Sequence, residues 1–117
     1  MISLNGVIDM HVHTAPDICQ RTYNDLELTS VAVHTEARTV VIKGHRCPTM
    51  TCSAWYNVHN RTVFDSNSFA MYGGLVLNYK AGRLNPKAVQ TTLEMSAKVI
   101  WLLTVDAENA GHIVSRQ

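Results

Sequence analysis

The chain has 117 residues, 46% of them hydrophobic and 16% charged, with a formal net charge of +1. That length supports one domain with a real core, and the near-neutral balance removes the electrostatic argument for nucleic acid or an anionic membrane surface as partner. No run approaches the ~18 apolar residues of a transmembrane helix, no basic-then-apolar leader opens the chain, and Cys19, Cys47 and Cys52, lacking a Cys-x-x-Cys pair, read as free thiols of a reducing cytoplasm.

Residues 6–13, "GVIDMHVH", alternate with the period of a strand and are closed by "TAPD". Residues 24–38 read as a helix, with Asn24 as cap, Glu27 placed to complete a capping box, and Leu28, Val31, Ala32 and Thr35 on one side. "TVVIKGH", 39–45, is a short β-branched strand. Pro48 then suits a first helical turn, and "TMTCSAWYNVH" places Met50, Ala54 and Val58 in line. Asn60 also opens an Asn-Arg-Thr triplet that fits a glycosylation sequon, a pattern that arises by chance.

After a polar connection, residues 69–79 read as a third strand, in which Gly73 and Gly74 let another backbone approach closely. Asn85 and Pro86 start a helix whose buried side is Val89, Leu93 and Ala97. Residues 98–105, "KVIWLLTV", are the fourth strand. Four strands alternating with three helices predict parallel βα units and an α/β fold, one domain over residues 1–117.

Residues two apart on a strand point to one side. Asp9, His11 and His13 are therefore expected on one face of the first strand, with Ile8, Met10 and Val12 opposite them under helices. Two imidazoles about 7 Å apart along a strand can converge on one divalent ion where its end curls. Imidazole suits zinc, iron, manganese or nickel alike. Lys43 and His45 share a parity at the end of the second strand, and Asp106 follows the fourth. All fall at the C-terminal edge of the predicted sheet, where α/β proteins place their sites. His11, His13 and His45 are the candidate metal ligands and Lys43 and Asp106 the candidate catalytic residues. The competing reading has Lys43 snorkelling from a strand end and Asp106 capping a short helix. His34, His59 and His112 lie where surface or structural roles are expected.

Four segments, "VIDMHVHTAPD", "VVIKGHRCPT", "GGLVLNYKAGRLNP" and "KVIWLLTVDAEN", together resemble the amidohydrolase superfamily of metal-dependent hydrolases, and more narrowly the N-terminal half of an uncharacterised amidohydrolase-like group. The resemblance implies a (β/α)-barrel with one or two metal ions, zinc first among them, acting on a small-molecule substrate by hydrolysis of an amide, ester or related bond. It carries His11 and His13 over as ligands of the first metal and His45 as a further ligand or substrate contact. Asp9 would orient a ligand histidine. The superfamily's carboxylated bridging lysine lies on a later strand than Lys43.

A complete barrel takes about 250 residues and eight strands, against four predicted here. A further histidine and a general-base carboxylate would come from the second half, and neither motif is present. The expectation is half of a TIM-type barrel: a fragment of a longer chain, a homo-oligomer whose copies complete the barrel, or a reduced α/β protein. The alternative function is a non-catalytic metal- or ligand-binding half-barrel that works through oligomeric assembly.

Overall fold

In the computed structural model, which describes residues 2–65 and 68–107, three parallel strands lie side by side in chain order. These are β1 (Ile8–Val12), β2 (Thr39–Ile42) and β3 (Ala70–Tyr72). A second parallel pair, β4 (Gly74–Val76) and β5 (Val99–Trp101), follows. The helices α1 (Asp25–His34), α2 (Met50–Val63) and α3 (Pro86–Glu94) connect them. The α/β fold with parallel strands is as expected.

Local chemistry sets the helix starts. The Asn24 side chain accepts the Glu27 backbone N–H while the Glu27 carboxylate accepts that of Asn24, a complete capping box. Asn85 accepts from Lys87 and Ala88 ahead of Pro86. At α2, Thr49 has other work. Its hydroxyl donates to Ile42 O at 2.8 Å and accepts the Gly74 N–H at 2.9 Å, joining the ends of β2 and β4 to the helix start.

The predicted single strand over 69–79 is two strands, broken at Gly73. A Cβ at Gly73 would collide with the Thr49 and Met50 backbone, so the glycine is what lets α2 begin against the sheet. At the next position, Trp101 lays its ring where a Cβ of Gly74 would stand.

The core lies between β1–β2–β3 and the helices: Ala32, Ala37, Val40, Ile42, Phe69 and Met71, with Val12, Leu28 and Tyr56 packed against it. Three expected stripes differ. α2 buries Met50, Ser53 and Asn60, while Ala54 and Val58 are exposed. The polar choice has a reason at Asn57, whose amide donates to Met71 O and accepts Met71 N–H, both at 2.7 Å, so the helix hydrogen-bonds the strand it covers. α3 buries Thr92 and leaves Leu93 exposed, and Val31 of α1 is exposed too. Asn60 of the sequon triplet is 1% exposed, out of reach of glycosylation.

β1 departs furthest from expectation. Ile8 and Met10 are 54% and 57% exposed rather than lying under helices. The register with β2 also slips, Asp9 pairing with Val40 but Val12 with Ile42. The slip marks an irregularity between Asp9 and Val12, while Asp9, His11 and His13 border one cavity together. Cys19, Cys47 and Cys52 carry free thiols. Among the described residues, no helix is long and apolar enough to cross a membrane.

Candidate metal centre

The C-terminal ends of β1 and β2, with the loop after β1, bring six polar side chains together. His13 and His45 stack with ring centroids 4.3 Å apart and planes 17° from parallel. His11 meets His13 edge-on, Nε2 to Nε2 at 3.0 Å. The Lys43 ammonium lies 3.3 Å from His11 Nε2 and 5.3 Å from the centroid of the Trp101 ring. The expected convergence of His11, His13, Lys43 and His45 is therefore present.

The carboxylate in their midst is Asp17. Its side chain is 6% exposed, and its Oδ1 accepts the Ile18 N–H at 2.7 Å and His45 Nδ1–H at 3.1 Å. A carboxylate only accepts, so the proton of that bond sits on His45 Nδ1. Oδ2 takes both Nε and an η-nitrogen of Arg21 at 2.6 Å and stands 3.7 Å from His13 Nδ1. His13, Asp17 and His45 each offer a ligand atom, all within 4.8 Å of one another. The loop that delivers Asp17 is tied down by Ala15 N–H to Tyr23 O, a parallel bridge between Ala15 and Asn24, and the Thr14 hydroxyl on Asp25.

Burial sets the protonation. It pushes His13 from the ordinary 6.5 down to about 4, helped by the positive potential of His45, Arg21 and His11 and opposed by Asp17. His11 is lowered by burial, then by Lys43, with Asp9 opposing. Burial alone lowers Lys43. For Asp17 burial acts upward, but the bonds from His45, Ile18 and Arg21 outweigh it and hold the carboxyl below the ordinary 3.8. The centre thus presents neutral imidazole next to an ionised carboxylate, the states that metal ligation needs.

Two residues expected here are engaged elsewhere. Asp9 is exposed and its Oδ1 accepts the His11 backbone N–H at 3.0 Å. Asp106 accepts the Tyr79 N–H at 2.6 Å and lies outside the ligand group. It caps the 3₁₀ turn Tyr79–Ala81, whereas the expected short helix after it runs into residues 108–117, outside the described residues together with His112. His34 and His59 both pack on Phe64.

Asn78, 1% exposed, is a support the sequence reading missed. Its amide donates to His45 O at 3.0 Å and to Thr104 Oγ1 at 3.1 Å, and accepts the Thr104 N–H at 2.9 Å. Two cavities flank the cluster. One of about 530 Å³ is bordered by His11, His13 and Arg21, the other of about 370 Å³ by Asp17, Lys43 and His45.

No curated protein and no solved structure matches the chain. A family model described as a family of unknown function (DUF6282) matches residues 6–117, and the chain belongs to that family.

Proposed function

We propose that the cluster binds a divalent metal ion and that the protein is a metal-dependent hydrolase of the amidohydrolase type, acting on a small molecule. The observation that carries the reading is an orphaned acceptor. A lysine ammonium has only donors, so Lys43 leaves the lone pair of His11 Nε2 as acceptor, and the proton between His11 and His13 belongs to His13 Nε2. Neutral His13 then turns a bare Nδ1 lone pair towards Asp17 Oδ2, 3.7 Å away, and this buried nitrogen has no hydrogen-bond partner. Two acceptors facing each other in a buried site repel unless a cation lies between them.

His13 Nδ1 and Asp17 would hold the ion, with His45 joining through a ring nitrogen that carries no proton. His11 Nε2 accepts the proton on the far nitrogen of the His13 ring, 3.0 Å away, and so stands behind that ligand, outside the ligand group. Zinc is the first choice, and manganese, iron and nickel suit the same donors. A bound divalent ion lowers the pKa of water and polarises a carbonyl. Arg21 fixes Asp17, His11 fixes the proton of His13, and Asn78 fixes the loop that carries His45.

The strand order supports the half-barrel reading. Parallel neighbours follow in chain order from β1 to β3, and β4–β5 continues directly after Gly73. Sequential parallel neighbours are the order of a (β/α)-barrel, whereas a flavodoxin-like sheet reverses at a switch point. A panel of amide and ester substrates, assayed with zinc- and manganese-loaded protein, tests the activity. Hydrolysis that a chelator removes and added metal restores is the expected result. Hydrolysis indifferent to chelation and to Asp17→Asn would sink it.

The alternative, a non-catalytic metal-binding half-barrel working through homo-oligomeric assembly, has its own support. Among the described residues β1 and β5 each keep one unpaired edge, and Ile8, Met10 and Leu102 are exposed beside them. Parallel sheets are ordinarily covered on both faces. Light scattering after size exclusion discriminates, because a stable monomer removes that alternative.

A further inference from the structure

One charged group of the centre stands without a counter-charge beside it. Asp17 is the ionised carboxylate of the cluster, and Arg21 holds its Oδ2 through two nitrogens. Lys43, 5% exposed, has no acidic partner among the described residues, its ammonium lying 3.3 Å from His11 Nε2 and over the face of Trp101. The cavity of about 370 Å³ bordered by Lys43 adds Arg46 and Asp25, and Asp25 is engaged by the Thr14 hydroxyl. Lys43 and Arg46 face Asp17 and Asp25 across this cavity, and Arg21 and Asp9 border the neighbouring one, so the charges match in number while Lys43 itself lacks an acidic partner. A divalent ion would add two positive charges. A buried charge without a counter-charge is costly, and a cation–π contact offsets only part of that cost.

We propose that the substrate is an anion, a small molecule carrying a carboxylate or phosphate group whose negative oxygens sit against Lys43. Much of the cavity wall between the charged residues is apolar, from Ala15, Pro16, Ile18, Ile42 and Pro48. The fitting molecule therefore has an apolar body and one anionic end. Lys43 binds and positions that end, which places the remainder of the molecule beside His13, Asp17 and His45. The inference rests on the metal-centre reading for its function, but the anion site itself is defined by Lys43 and can be measured separately.

The experiment is calorimetric titration of the zinc-loaded protein with inorganic phosphate and, separately, with acetate. It compares the parent, Lys43→Met and Lys43→Arg, with metal content determined on the same samples. Loss of a charge-assisted hydrogen bond predicts affinity weakened about tenfold or more in Lys43→Met, with metal content unchanged and Lys43→Arg retaining most of the binding. If Lys43→Met fails to fold, the ¹⁵N signal of the Lys43 ammonium in the parent takes its place, and it must shift on addition of phosphate. Three results overturn the inference: neither anion binds the parent, Lys43→Met binds as the parent does, or ¹³C-bicarbonate labels Lys43 as a carbamate, which would make that side chain an anion. Anion binding that depends on Lys43 in a protein retaining no metal would uphold this inference while removing the metal-centre reading.

Discussion

His13 and His45 leave neighbouring parallel strands and stack face to face, 4.3 Å between ring centroids, with the Asp17 carboxylate reaching the Nδ1 side of both. Burial in this stack is the first cause of the low His13 pKa.

Stability should therefore fall with acid in a defined window. Unfolded His13 takes up its proton near 6.5 and native His13 only near 4, so between those values the unfolded state binds more protons and native stability declines as pH drops. Above 6.5 this contribution is flat. The lowered His11 acts in the same direction. The lowered Asp17 adds stability above 3.8 that is lost as the pH falls through its native value. NMR titration of the His13 ring should give a midpoint near 4, and His13→Gln should flatten the urea-denaturation midpoint between pH 6.5 and 4. A midpoint near 6.5 would mean that the ring is not desolvated by its neighbours.

Asn78 ties the His45 carbonyl to Thr104 from within the core. Groups that orient metal ligands commonly contribute about 10–100-fold to affinity. Asn78→Ala should weaken zinc binding by about that factor in a competition titration with a chromophoric chelator. An unchanged affinity would reduce Asn78 to a purely structural link.

Asn57 is the backbone partner of Met71, which is fully buried. Asn57→Ala leaves a buried N–H and a buried C=O unpaired and should cost about 1–3 kcal/mol in denaturant unfolding. The metal centre lies on other elements, so metal content should not change. Asn57→Asp keeps the acceptor, loses the donor, and sets a carboxylate oxygen against Met71 O, so it should destabilise at least as much.

Periodic and capping signals were legible where local physics decides them. Asn24 with Glu27, Asn85 with Pro86, and the β-branched run of β2 form the elements their sequences predict. The His11–His13–Lys43–His45 convergence was legible for the same reason, because strand parity and a shared sheet edge fix it. Asp17 was not. It sits in a loop with no period, and "TAPD" reads as the punctuation that ends a strand, while the contacts that carry Asp17 back to the histidines come from Arg21, Ile18 and the Ala15–Tyr23 link. Asp106 shows the converse error. Its position after a strand resembles that of the site residues, yet a free backbone N–H at Tyr79 claims its carboxylate. The exposed face of β1 was hidden too, since Ile8 and Met10 read as core by hydropathy and only the observed layers show what covers them.

A cation between His13 Nδ1 and Asp17 can be measured by metal analysis of the purified protein after equilibration with zinc and exhaustive dialysis, in the parent and in Asp17→Asn, His13→Gln and His11→Gln. The expected result is about one ion per chain in the parent, near-complete loss in Asp17→Asn and His13→Gln, and a smaller loss in His11→Gln. A parent without bound metal, or retention that survives both Asp17→Asn and His13→Gln, would contradict it.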